Sequence, residues 1–171
     1  LGQIPAHWDV RKVKHLTTKI GSGKTPKGGA EVYVDSGVML FRSQNVHFDG
    51  LRLDDVVFIE DEVDAEMANT RVRPGDVLLN ITGASLGRCC LVGEDVGPAN
   101  VNQHVCIIRG RHSTVVPDYL GAAMSSFVAQ SQIFASENGT SREGLNFQQV
   151  GNLLIVVPPR LEEQDAISRH I

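Results

Sequence analysis

A chain of 171 residues with 42 % hydrophobic and 21 % charged side chains suits one globular domain, large enough to bury roughly two thirds of the surface its unfolded chain exposes. It holds no apolar run near the roughly 18 residues of a membrane helix and no basic-then-apolar leader, which points away from the membrane and towards the cytoplasm. The three cysteines, Cys89, Cys90 and Cys106, form neither an even disulfide framework nor a zinc spacing and read as buried, reduced thiols.

The net charge of −4 is unevenly spread. Residues 1–27 carry Arg11, Lys12, Lys14, Lys19, Lys24 and Lys27 against Asp9, net +5, and the remainder carries net −9. A segregated basic patch binds phosphate even on an acidic protein, or is simply a solvated face.

In chain order, Trp8, Val10, Val13 and Leu16 have mixed spacing that fits a strand or a short helix, and residues 20–29 read as a loop rich in glycine and lysine. Its Gly21-Ser22-Gly23-Lys24-Thr25 ends like a nucleotide-binding P-loop. The first glycine of that pattern is replaced by Thr18, and Pro26 stands where the helix should start, so nucleotide hydrolysis is rejected. Lys24 and Lys27 remain suited to a DNA backbone. Val38 to Phe41 reads as a strand leaving through Arg42-Ser43-Gln44-Asn45. Arg, Gln and Asn are the side chains able to make paired hydrogen bonds to base edges, and equally they make a polar turn. Val56 to Ile59 reads as a third strand. Asp61 to Asn69 reads as a short helix within a run of seven acids from Asp54 to Glu66, taken as a solvated face rather than a metal site.

The organising stretch is Arg73 to Arg88. Pro74-Gly75 marks a turn, Val77-Leu78-Leu79 with Ile81 a buried strand, and Thr82, Gly83, Ser85, Gly87 and Arg88 a small polar loop. Such a loop presents a binding site or merely connects a hairpin. Cys90 to Val92 and Val101 to Arg109 read as two further strands, with Asn100, Asn102 and Gln103 an amide cluster as the second begins. From Pro117 an apolar stripe at helical spacing runs to Phe134, followed by a polar loop carrying Arg142. Phe147 to Leu154 then reads as a short helix, Ile155 to Val157 as a strand stopped by Pro158-Pro159, and Leu161 to Ile171 as the start of a helix. The sum is a mixed α/β (α+β) fold, a twisted mixed β-sheet with a few packed helices. The missing initiator Met and the unfinished last helix suggest a piece of a longer protein.

Taken in order, Ile4-Pro5 with Trp8, Gly21-Ser22-Gly23 with Thr25-Pro26, Arg73 to Leu78, Thr82-Gly83 with Gly87, Asn102-Gln103, and Val156-Val157-Pro158-Pro159 with Leu161 to Gln164 and Ile167 resemble the target-recognition domain of type I restriction–modification specificity subunits. The resemblance implies a DNA target-recognition domain over residues 1–160 and the start of a spacer helix over 161–171. It implies that the domain reads one half of a bipartite double-stranded DNA site. It also implies modification (methyltransferase) and restriction subunits as partners that carry the chemistry, and a second recognition domain in the same chain or a paired copy. No catalytic residue, metal or cofactor is expected. Nothing matches an amino-methyltransferase motif, for Val157-Pro158-Pro159-Arg160 is wrong at both ends, and the six histidines pair with no nucleophile in a recognisable motif.

On this reading Lys24 and Lys27 position the domain on phosphates, and Thr25 beside them is a further candidate for DNA contact. Arg42, Gln44, Asn45, Thr82, Ser85, Arg88 and Arg142 are the remaining candidates for DNA contact. The alternatives are a protein-interaction domain using the acidic stretch, and a small-molecule enzyme using the glycine loops as an anion site.

Overall fold

The computed structural model of the protein describes residues 3–137 and 144–170. Its strands are β1 (Asp9–Lys12), β2 (Thr17–Ser22), β3 (Val38–Phe41), β4 (Val46–His47), β5 (Gly50–Leu51), β6 (Val57–Ile59), β7 (Asp76–Asn80), β8 (Cys89–Leu91), β9 (Ala99–Val101), β10 (Val105–Gly110) and β11 (Leu154–Val157). The helices are α1 (Asp61–Glu66), α2 (Pro117–Ser125), α3 (Phe127–Glu137), α4 (Phe147–Asn152) and α5 (Leu161–Ser168). The fold is mixed α/β, as expected, but built from several small sheets: β2-β10-β7-β8, β6-β3-β9, β1-β11 and the β4-β5 hairpin.

β7 is the centre. All five of its residues are buried, because the sheet is covered on both faces. Val77 and Leu79, with Cys106 and Ile108 of β10, face a core built from Leu120, Met124, Ile133 and Val150 of the helices. Leu78, with Ile107 and Cys90, faces a second core containing Phe41 and Val101 of the neighbouring sheet. Strict alternation along one strand therefore serves two cores. Its entry is the turn expected at Pro74-Gly75. Gly75 has φ 81°, and the Asp76 N–H closes the turn on the Arg73 carbonyl at 3.0 Å.

Asp76 is the buried charge at this entry. Both its oxygens accept from Arg109, from Nε and Nη2 at 2.7 Å each, and Oδ2 also accepts from the Arg73 N–H at 2.8 Å. The pair ties β7 to β10 where those residues stand opposite one another in the ladder.

Four expectations need correction. Residues 20–22, expected in the loop, belong to the strand over 17–22, because β2 completes the edge of β10 with Cys106 opposite Ser22. The strand expected over Val101 to Arg109 is two: β9 runs parallel to β3, β10 pairs with β7 and β2, and Asn102–His104 carries the chain between sheets. The long helix from Pro117 breaks at Ser126, whose ψ of 155° is extended. The acidic stretch is not wholly solvated: Asp64 is buried, receiving Arg71 Nε at 2.7 Å and Asn100 Nδ2 at 2.9 Å.

The Pro-Pro-Arg-Leu-Glu-Glu-Gln tail has a clear structural use. Gln164 is fully buried; its Oε1 accepts from the Val116 N–H, and its Nε2 donates to the carbonyls of Pro158 and Thr114. Trp8 Nε1 donates to Glu163 at 2.9 Å, so α5 is pinned to the body on two sides. That hydrogen bond, with a second from His7, holds the Glu163 carboxyl below its ordinary range.

Replacing Asp76 by Asn leaves the Arg109 guanidinium largely buried beside a neutral partner. Urea unfolding should show a loss of about 3–5 kcal/mol. A loss within error of zero would mean that the pair does not hold β7 in register.

Candidate nucleic-acid interface

Topology decides which loops meet. β10 is antiparallel to both β2 and β7, so the ends of β2 and β7 lie beside its beginning. β9 ends three residues before β10 begins, and β3 runs parallel to β9. The loops after β2 (23–27), β3 (42–45) and β7 (81–88) and the β9–β10 turn (102–104) therefore share one end of the molecule.

Polar contacts join them. The Gly23 N–H donates to the Asn102 carbonyl at 3.1 Å, and the Asn102 N–H donates to the Phe41 carbonyl at 3.0 Å. Asn102 Oδ1 accepts from the His104 N–H at 3.0 Å, an Asx turn that sets the sheet change. Thr25 Oγ1 contacts Gln103 Oε1 at 2.6 Å, Gln103 Nε2 contacts His104 Nε2 at 2.9 Å, and His104 Nδ1 contacts Thr82 Oγ1 at 2.7 Å. Buried Asn80 donates from Nδ2 to the Ser43 carbonyl at 2.7 Å and to Ser85 Oγ at 3.1 Å. Between these loops lies a cleft of about 460 Å³ lined by Ser43, Gln44, Thr82, Ser85, Arg88 and His104, together with Gly83 and Ala84.

The candidates from the sequence divide. Gln44, Thr82, Ser85 and Arg88 line this cleft. Thr25 is tied to the β9–β10 turn through Gln103, and exposed Lys24 and Lys27 stand on the same loop as Thr25. Among the described residues, Arg88, Lys24 and Lys27 have no ion-pair partner. Asn45 does not reach solvent: it is fully buried, and its amide is used by the Arg42 N–H, the Arg52 carbonyl and Asp55. Arg42 is turned to Asp55, donating from Nη2 to its carbonyl at 2.6 Å with the carboxylate 3.8 Å away. Gln44 Nε2 also bonds the Asp55 carboxylate. The Arg42–Asn45 turn is thus folded around one acid, which leaves its amides and guanidinium less free than the sequence suggests. Arg142 lies outside the described residues.

The basic stretch is also divided. Lys14, beside Gly151 of α4, precedes β2, and Lys24 follows it. Six residues of strand separate the two groups by about 20 Å, so only Lys24 and Lys27 belong to the cleft end.

Gln103, His104 and Asn80 are the members that sequence reasoning passed over. The amide cluster at 100–103 was the available signal. Its meaning depends on the break between β9 and β10, which the continuous apolar pattern on either side conceals.

Burial pushes the Cys89 thiol up to about 11 and those of Cys90 and Cys106 to about 12, leaving essentially no thiolate at neutral pH. Among the described residues, no group of three His, Cys, Asp or Glu could hold a metal, and no helix is long and apolar enough to cross a membrane. An apolar groove of about 300 Å³ lined by Trp8, Tyr119, Ala123, Ile155 and Ile167 lies against α5. Its tyrosine hydroxyl is already used on the Val156 carbonyl.

The fold is similar to part of solved type I restriction–modification specificity subunits. The HsdS subunit of Thermoanaerobacter tengcongensis superposes with a TM-score of 0.72 at 21 % identity, covering 98 % of this chain and 42 % of that one. A chain from a structure addressing complex assembly and conformational transition of the type I R-M system gives 0.71 at 17 % identity, covering 99 % and 38 %. In sequence, the chain is 29 % identical over 138 residues to the EcoBI type I restriction enzyme specificity subunit of Escherichia coli, which covers 81 % of this chain and 28 % of that protein. The resemblance read from the motifs is therefore borne out, although the chain spans well under half the length of these relatives. No protein-family model matches it.

Gly23 tests the convergence itself. A Cβ there would stand 1.6 Å from the Val101 carbonyl oxygen, whereas one at Gly21 meets nothing within 4 Å. Gly23→Ala should destabilise by about 1–3 kcal/mol through forced separation of the two backbones, and Gly21→Ala should be tolerated. Equal melting temperatures for the two variants would contradict the close approach.

Proposed function

We propose that this chain is a non-catalytic DNA target-recognition domain that reads one half of a split double-stranded site. In this reading residues 1–160 form the reading domain and α5 is the root of a spacer helix. Methyltransferase and restriction subunits act where the domain directs them, and a second recognition domain, in the same chain or in a paired copy, reads the other half. The observation that carries the proposal is the convergence of four loops at one end, three of which line a cleft holding Arg88, Thr82 and Ser85 while the fourth carries exposed Lys24 and Lys27. The fold and sequence similarity to specificity subunits supports it.

The division of labour follows from chemistry. Lysines on a mobile stem contact phosphates without regard to sequence. Arginine and the hydroxyls discriminate base edges, an arginine–guanine pair being worth about 1–3 kcal/mol. Arg42 and Gln44, held by Asp55, act at the edge of the surface, and Asn45 supports the turn from inside. Thr25, hydrogen-bonded to Gln103, supports the lysine loop. Arg142 is kept as a candidate on its chemistry alone. The protein-interaction alternative loses part of its basis, since Asp55 and Asp64 are engaged internally.

The experiment is to graft residues 1–171 in place of one recognition domain of a working specificity subunit, with its modification partner, and to map methylated adenines. A new half-site beside the unchanged one is the expected result. An assembled complex with no methylation would favour the interaction-domain reading. Within the graft, replacing Lys24 and Lys27 together by Ala should leave the half-site unchanged. It should also lower the slope of log affinity against log salt by about 2, roughly one for each phosphate that a lysine no longer neutralises.

A further inference from the structure

The cleft has a polarity that the hydrogen bonds around it set. Gln103 turns its amide oxygen to Thr25 and its nitrogen to His104 Nε2. In this amide orientation Nε2 accepts from the Gln103 nitrogen, which places the ring proton of a neutral imidazole on Nδ1. That proton is donated to Thr82 Oγ1 at 2.7 Å. With its oxygen already accepting from inside, Thr82 has its own hydroxyl proton left to offer. Ser85 is in the same condition, since Asn80 Nδ2 donates to its oxygen. Arg88, the third group on the wall, only donates. Gln44, whose nitrogen is held by Asp55, leaves a single acceptor at the rim.

We propose that Gln103, His104 and Asn80 are positioning residues that turn the Thr82 and Ser85 hydroxyl protons outward, so that with Arg88 the cleft presents donors to a proton-free acceptor of DNA. Two sources supply that chemistry: a phosphate oxygen, or the O6/N7 edge of guanine. The proposal rests on the DNA-reading function above and specifies what this part of the surface takes. Asn80 is suited to its role because it is fully buried at the end of β7, with its backbone N–H on the Arg88 carbonyl at 2.8 Å and its carbonyl accepting from Gly87 at 2.9 Å. Its side chain therefore has a fixed origin. His104 is held likewise, its N–H on Asn102 Oδ1 and its carbonyl accepting from Ile81.

The test selects binders from a duplex library with a randomised core, using the grafted subunit with its partner. Five forms are compared: wild type, Thr82→Val, Thr82→Ser, His104→Leu and His104→Asn, each first shown to melt as wild type does. Val keeps the shape of Thr without the hydroxyl, and Ser keeps the hydroxyl. Asn places an amide donor near the position of Nδ1, and Leu places none. Thr82→Ser and His104→Asn should select as wild type does, and Thr82→Val and His104→Leu should not. If the source is guanine, those two lose about tenfold of the preference for guanine at one position and keep the rest. If it is a phosphate, they keep every base preference and bind severalfold more weakly, and a single methylphosphonate in the selected duplex abolishes the difference. Thr82→Val and His104→Leu selecting and binding as wild type does would overturn the proposal while leaving the DNA-reading function standing. Failure of the wild-type graft to bind any duplex would overturn both.

Discussion

A strand buried on both faces is the constraint from which the rest of this structure follows. β7 cannot turn a residue towards water without opening one of two cores, so its only route to the surface is along its axis. The chain therefore leaves through Asn80 into the Thr82–Arg88 loop, and the strands paired with it set what lies alongside. The buried Asp76–Arg109 pair holds the opposite end. One partner alone would be an uncompensated charge in the interior, which makes the pair a register mark as well as an attraction.

This arrangement explains how an acidic protein presents a cationic, donor-rich surface. The net charge describes the whole chain, whereas a nucleic acid meets only the field near the loops it touches. Lys24, Lys27 and Arg88 are gathered by topology, and much of the acidic stretch lies elsewhere or turns inward to Asn100, Arg71 and the Arg42–Asn45 turn. The β2 strand, by contrast, separates Lys14 from Lys24, so a basic run in sequence becomes two groups in space.

Much of this was legible in the sequence where local rules and tertiary demands agree. The Pro74-Gly75 turn, β7, β3, β11 and the helix after Pro117 each announce themselves through turn chemistry or hydrophobic period. What was not legible came from partners far away in sequence. β2 has a weak pattern, Thr-Thr-Lys-Ile-Gly-Ser, and is a strand because β10 offers it an edge. The Val101 to Arg109 run looks continuous because its two apolar halves serve different sheets, and nothing local marks the switch except Asn102. For the candidate site, Thr82, Ser85 and Arg88 lie on one loop in the sequence and line one cleft in the structure. It could not show that Asn45 is buried, or that Gln103 and His104 bridge to Thr25 and Thr82, because both depend on which loops share an end.

In the proposed reading the four loops at that end act as one DNA-binding surface. Hydrogen exchange of the protein, free and bound to its selected duplex, tests this most directly, because backbone amides report contact without any substitution. New protection is expected in 23–27, 42–45, 81–88 and 102–104, with α1, α3 and the groove beside Trp8 unchanged. Protection concentrated on α1 or on that groove, with the four loops exchanging as in the free protein, would contradict it.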